Sequence, residues 1–436
     1  MKQFKKILAM GLCLFVGLGT LSGCGAGGVS STDEVSSTDG AGSADEVSST
    51  DGDNSESGDS SESASNVVAG LVCLHDENAP YDQNFISAFR ESCEKQGLVE
   101  GETYFISTNV PEGQECYEEV MNMVDRGCNL VFADSFGHED YMIQAAAECP
   151  KVQFCHATGT KAHTQNLSNY HNAFASIYMG RYLAGVTAGM KLNEMIEAGE
   201  FTADEAKMGY VGAFTYAEVI SGYTSFYLGA KSVCPSVTMD VTFTGSWYDE
   251  TKEKEGAQAL IEGGCKLISQ HADSMGAPTA CEKAGIPNVS YNGSMLSACP
   301  NTYLVSSRIN WSPYYNYAMD AVKEGKAIDT DWTGTMDTDS VLLTELNDSV
   351  AAEGTEKKLE EVKKALQDGS VQVFDTSTFT VDGKTLDSYM ADVDTDADNT
   401  GDTEVIRDGV FQESTFRSAP YFNLQIDGIK LLDTAF

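Results

Sequence analysis

From Asn66 onward, short apolar runs rich in β-formers alternate with amphipathic stretches, and this alternation restricts the chain to one class of fold. "NVVAGLVCL", "TYFIST", "NLVFAD" and "KVQFCH" read as strands. Between them lie helical patterns in "DQNFISAFRESCEKQG", at 114–126 and at 138–148. A long helix over roughly 173–194 contains "YMGRYLAGVTAGM", whose small residues favour close packing. "KMGYVGAF", "TMDVTFTG", "KLISQHA", "IPNVSYNG" and "NTYLVSSRI" continue the strands, with helices at 218–234, 250–263 and 277–285 and in "YYNYAMDAVKEGK". Strand–helix alternation predicts α/β architecture with parallel sheets covered on both faces. The strands are too many for one such sheet, so two doubly wound parallel-sheet lobes are expected. The first spans 66–170 and returns at about 293–330; the second spans 171–292 with part of 331–436.

The residues before Asn66 belong to another regime. "MKQFKK" followed by "ILAMGLCLFVGLGTL" has the basic and apolar regions of a secretory signal, expected over 1–23. "LSGC" at its end resembles a bacterial lipobox, which makes Cys24 the expected lipid-bearing residue. Residues 24–65, where "VSSTDG" recurs without aromatic or basic side chains, cannot bury enough apolar surface to offset ordering entropy. They read as a disordered acidic tether, so the body is expected on the extracytoplasmic face of the cell membrane, lipid-anchored. The net charge of −39 argues against nucleic acid or an anionic membrane surface as partner. Twelve cysteines occur without a CxxC pair, and those of the body sit inside apolar patterns as small hydrophobes.

In open α/β sheets, ligands bind beyond the carboxyl ends of the strands. The loop "HDENAPYDQNF" after the first strand offers Asp76, Asp82 and Phe85, although Asp82 also suits helix capping. "TFTGSWYDE" places Trp247 on a strand-to-helix loop, where an exposed indole suits a flat aromatic ligand. "ISQHADSMGAP" supplies His271 and Asp273, "VSYNGSM" supplies Asn292, and "SSRINWSPYY" supplies Arg308, Asn310 and Trp311. This polar set with aromatic plates fits a planar heterocycle. No G-x-S-x-G, P-loop or H-E-x-x-H motif occurs, so no enzymatic activity and no cofactor are expected. His156, His163 and His171 lack ligand spacing and read as loop or edge residues. "DVDTDADNTGDTE" departs from a calcium loop at Ala397 and Thr403, so no metal is expected there.

Several stretches also carry a family resemblance, in order along 66–330. "DQNFISAFRESCEKQGL", "NLVFADSFGHEDYMIQAAAECPKVQF", "YMGRYLAGVTAGM", "GYVGAFTYAEVISGYTSFYLGA" and "SWYDETKEKEGAQALIEGGCKLISQHADS" resemble the basic-membrane-protein family of lipoproteins. These are purine nucleoside receptors of ABC importers. The resemblance implies two lobes of the periplasmic-binding type I, joined by three crossings and closing on one ligand. It implies a purine stacked between Phe85 and Trp247, met by Asp76 and Asp82, with Asp273 and Asn292 beside them. The family's "Gly-Val-Asp" loop is replaced here by "SYNGS", with Asn292 in place of the acid. A neutral amide grips ribose less strongly than a carboxylate, so the expected ligand is a purine nucleoside or a free nucleobase. An ABC permease is the implied partner of a monomeric receptor. A sensory receptor of the same fold is the alternative.

Overall fold

The computed structural model describes residues 66–394 and 400–433. The signal segment, Cys24, the tether and part of the acidic loop after Asp392 lie outside the described residues. Sheet one takes β1 (Ala69–Val72), β2 (Tyr104–Ser107), β3 (Leu130–Ala133), β4 (Gln153–Ala157) and β5 (Tyr170–Ala175). Between them run α1 (Pro80–Lys95), α2 (Gln114–Asp125), α3 (Glu139–Glu148) and the single turn α4 (Ala162–Gln165). The helix α5 (Ile177–Glu197) leads to sheet two: β6 (Lys207–Gly212), β7 (Thr238–Phe243), β8 (Leu267–Gln270), β9 (Asn288–Tyr291) and β10 (Tyr303–Ile309). Its intervening helices are α6 (Ala217–Val233), α7 (Glu250–Glu262) and α8 (Gly276–Ala284). After α9 (Ser312–Glu324) come β11 (Asp331–Gly334), β12 (Val341–Leu343) and α10 (Thr355–Gln367). Short ladders β13 (Met390–Ala391) with β14 (Thr403–Glu404), and β15 (Ile406–Arg407) with β16 (Val410–Phe411), precede β17 (Ile429–Leu431).

Sheet one runs β11-β5-β4-β3-β1-β2 and is parallel throughout. Sheet two runs β12-β10-β9-β8-β6-β7-β17, parallel except for the edge strand β12. Both are doubly wound, and both reverse winding direction beside their first strand, between β1 and β3 and between β6 and β8. That reversal leaves a crevice at each sheet's carboxyl edge. The central strands AGLV, LVFA and LISQ are buried at every residue, as strands covered on both faces require.

The chain passes between the sheets three times: from β5 into α5 and on to β6, from β10 into α9, and from β11 to β12. The sequence pattern returned the chain to lobe one at about 293. Instead β10 pairs with β9 in sheet two, and the return begins at α9, which packs on α1. The pattern also began lobe two at 171, whereas Tyr170–Ala175 is the strand β5, paired to β4 and β11. The polar His171 and Asn172 obscured that strand. Both are buried and internally satisfied: His171 bonds the Asp329 carbonyl at 3.1 Å and Gln153 at 2.8 Å. His156 likewise is no loop or edge residue, for it is wholly buried in β4 with Nε2 on the Ser135 carbonyl at 2.7 Å. The described body cysteines are all free thiols, buried except for Cys149, which is partly exposed. Among the described residues no helix is long and apolar enough to cross a membrane.

Candidate ligand-binding site

The two switch points face one another across a narrow cavity. Lobe one lines it with Leu74 and His75 beyond β1, Tyr81 and Asp82 from the first turn of α1, Ser135 and Phe136 beyond β3, and Thr158 beyond β4. Lobe two supplies Glu218 from the first turn of α6, Trp247 beyond β7, His271 and Asp273 beyond β8, and Tyr291 at the end of β9. Rings from opposite lobes meet at the mouth, with His75 and Tyr248 at 5.4 Å and Phe136 and Tyr216 at 5.3 Å between centroids.

Asp82 is fixed from lobe one. It is 1% exposed and accepts the His75 backbone N–H at 2.7 Å, with the His75 imidazole Nδ1 at 3.4 Å. Behind it lies Asp134, fully buried, whose Oδ1 accepts the Leu74 N–H at 3.1 Å while Oδ2 has no partner. Burial and then the neighbouring Asp82 push the Asp134 carboxyl well above its usual range. Cys73, Asp82 and Asp134 bring donor atoms within 4.8 Å of one another, close enough to share a cation. Burial also raises the Cys73 thiol well above its ordinary value.

On the opposite wall, the Asp273 N–H donates to the Trp247 carbonyl at 2.8 Å, which ties the two ligand loops together. Burial first, then Asp82, Glu253 and Glu218, raise the Asp273 carboxyl well above the carboxylate range. In its acid form Asp273 can donate as well as accept. Trp247 is held edge-on to Phe214 at 5.0 Å and lies 5.9 Å from Tyr216. At the floor, the fully buried Arg181 from α5 donates to the Gln270 carbonyl at 2.9 Å and lies over the Tyr291 ring at 3.4 Å.

Of the residues expected from sequence, Asp82, Trp247, His271 and Asp273 converge on this cavity. Phe85 does not reach its wall: it is wholly buried and stacked on Trp311, 4.4 Å away at 26°, so both rings belong to the core between α1 and α9. Asp76 accepts from Asn78 N–H and Nδ2 at 3.0 and 2.8 Å in the turn before α1. Asn310 caps the start of α9, accepting from Ser312 N–H at 3.2 Å and donating to the Asp339 carbonyl at 3.0 Å. Asn292, at φ 63°, opens instead on a neighbouring groove with Arg308 and Asn84. Sequence reasoning missed His75, Ser135, Phe136, Thr158 and Tyr291, at or just beyond strand ends, and Tyr81 and Glu218 in the first turns of α1 and α6. It also passed over Arg181, the one charge in the stretch 177–190 of α5, whose burial demands partners.

Residues 74–373 match the family model described as ABC transporter substrate-binding protein, PnrA-like (Bmp). The chain is 35% identical over 224 residues to a purine-binding protein of Brucella abortus, covering 51% of this chain and 59% of that one. It is 33% identical over 226 residues to TsgA13 of Haloferax volcanii, a protein named for glucose binding in ABC transport, covering 52% and 54%. The chain thus spans little more than half the length of these relatives. Among solved structures, it resembles an ABC transporter solute-binding protein from Conexibacter woesei with a TM-score of 0.56 at 17% identity. That match covers 70% of this chain and 98% of the other.

Proposed function

The chain belongs to the PnrA-like family of ABC transporter substrate-binding proteins, which are not enzymes, and from that premise we propose that it captures a purine, as nucleoside or free base, between its lobes. Lobe closure would trap the ligand, and a membrane permease would receive it. Cys24 would carry the lipid that keeps this monomeric receptor on the extracytoplasmic face.

One observation carries the purine reading: an indole and carboxyls from both lobes converge on a single cavity. Trp247 lines it from lobe two, and Asp82 and Asp273 approach from opposite lobes. A purine offers a π-face for stacking and an edge that carries both N–H donors and ring-nitrogen acceptors. Asp82 can accept from such an edge, and Asp273, as a buried acid, can donate to it. The name of the Brucella relative points the same way, and that of the Haloferax relative points to a hexose.

Isothermal titration of the chain from residue 66 with adenine, hypoxanthine, guanine, their nucleosides and glucose decides between these. Micromolar or tighter binding of a purine with glucose silent supports the proposal. Glucose binding with purines silent overturns it. A nucleoside bound more tightly than its base would show that ribose is gripped without an acid at Asn292.

A further inference from the structure

We propose that Arg181 is a positioning residue that holds His271 in a single tautomer, its proton on Nε2, so that the imidazole faces the cavity as a hydrogen-bond donor. This rests on the purine reading for its ligand, though not for the tautomer itself.

The argument starts from what an arginine can do. Its guanidinium N–H groups only donate. One of them meets His271 Nδ1 at 2.9 Å, so Nδ1 must offer a lone pair. The Tyr210 hydroxyl stands 3.4 Å from the same nitrogen. A neutral imidazole that accepts at Nδ1 carries its proton on Nε2, and Nε2 lies 3.3 Å from Glu218 Oε1. His271 and Glu218 both line the cavity, so the N–H that donates to Glu218 stands at the wall, where a ligand acceptor would share it with that carboxylate.

The surroundings hold that geometry. Arg181 is 1% exposed and kept in place by the Gln270 carbonyl and the Tyr291 face. The Tyr291 ring also packs on the imidazole, 4.9 Å between centroids. On α6, Gly222 leaves room for the ring: a Cβ there would stand 2.8 Å from His271 Nδ1. The charged or titratable groups facing His271 are Arg181 from α5, Tyr210 from β6, Glu218 from α6, Tyr291 from β9 and Asp273 in its own loop. Burial and the Arg181 charge lower the His271 pKa to about 4, against the opposing pull of Glu218. The ring is therefore neutral throughout the physiological range, as a fixed donor–acceptor pair requires.

Imidazole ¹⁵N NMR of the full chain tests the tautomer without any ligand. The expected spectrum shows His271 with an unprotonated Nδ1 and a protonated Nε2, unchanged from pH 5 to 8. A protonated Nδ1, or a ring that titrates near pH 6, overturns the proposal. Arg181→Met should mix the tautomers and raise the pH at which the ring titrates; Arg181→Lys should restore part of the single-tautomer signal. A folded Arg181→Met variant with an unchanged spectrum also overturns it. In the wild type, replacing one ring acceptor of adenine by carbon, in 1-deaza, 3-deaza or 7-deaza analogues, should weaken binding about tenfold or more at the nitrogen His271 serves. Equal affinity of adenine and all three analogues would remove His271 as a ligand donor. Should no purine bind at all, the purine reading fails while the ligand-free spectrum still decides the tautomer.

Discussion

Trp247 and Phe85 are both aromatic residues near strand ends, yet the structure separates their roles and so their mutants. Trp247 lines the cavity, so Trp247→Ala removes a stacking face. Aromatic–base stacking contributes about 1–3 kcal/mol, and titration should show purine affinity falling roughly tenfold to a hundredfold with little change in melting temperature. Phe85 is wholly buried between Tyr81, Phe132 and Trp311. Phe85→Ala opens a core void and should cost about 3–5 kcal/mol of stability in denaturant unfolding, with any loss of affinity following from loss of folded protein. An unchanged affinity for Trp247→Ala would take the indole out of the site. Sequence placed both rings in one loop-to-helix neighbourhood of each lobe. It could not say which would turn inward, because that depends on Trp311 arriving from α9, more than 200 residues further along the chain.

The elements that set lobe geometry are α5 and α6, packed so closely that their glycines are spacers. A Cβ on Gly185 would stand 2.0 Å from the Phe226 carbonyl oxygen, and one on Gly229 would stand 2.0 Å from that of Tyr182. These obstacles are backbone atoms, which no rotamer change can move aside. Gly185→Ala and Gly229→Ala should therefore each destabilise the body by about 1–3 kcal/mol or more, as overpacking does, despite alanine's better helix propensity. Gly256, in α7, is the contrast: its Cβ would meet Thr242 Cγ2 at an ordinary 3.4 Å. Gly256→Ala should be neutral or stabilise by up to about 1 kcal/mol. Thermal melts of the three variants, ranked in that order, check the packing; a well-tolerated Gly229→Ala would refute it. At this scale the sequence was most legible. The small residues of "YMGRYLAGVTAGM" announced close packing, and buried apolar strands such as LVFA stood out from their neighbours. The misread element was β5, since "YHNAFA" draws its hydrogen bonds from Gln153 and Asp329, partners that no local pattern reveals.

At the scale of the whole molecule, the residues beyond the family match, from 374 onward, bind both lobes. Ser418 N–H donates to Asp331 Oδ2 at 2.9 Å on the edge strand of sheet one, and β17 extends sheet two beside β7. Phe374 stacks on Phe422 at 4.3 Å and lies 5.4 Å from Tyr178 of α5. Within this segment Glu413 is 2% exposed and accepts from Ser221 Oγ of α6 at 2.5 Å. Burial raises its carboxyl from 4.5 to about 7, against the lowering effect of its bonds to Ser221 and Ser414. The sign follows from proton binding: between pH 4.5 and 7 the folded chain keeps a proton that the unfolded chain has released. The stability this group contributes is complete below pH 4.5 and is lost as pH rises through 7. A tenfold difference in proton affinity between the folded and unfolded chain corresponds to about 1.4 kcal/mol, so the full loss is on the order of 2–4 kcal/mol. Glu413→Gln keeps the shape and removes the proton. Relative to wild type it should gain that amount between pH 4 and pH 8, most steeply from 5 to 7. Urea unfolding of the two proteins at several pH values measures the difference directly. A constant offset would mean that Glu413 ionises as freely in the folded chain as in the unfolded one, and that the segment's contact with α6 does not depend on a neutral acid.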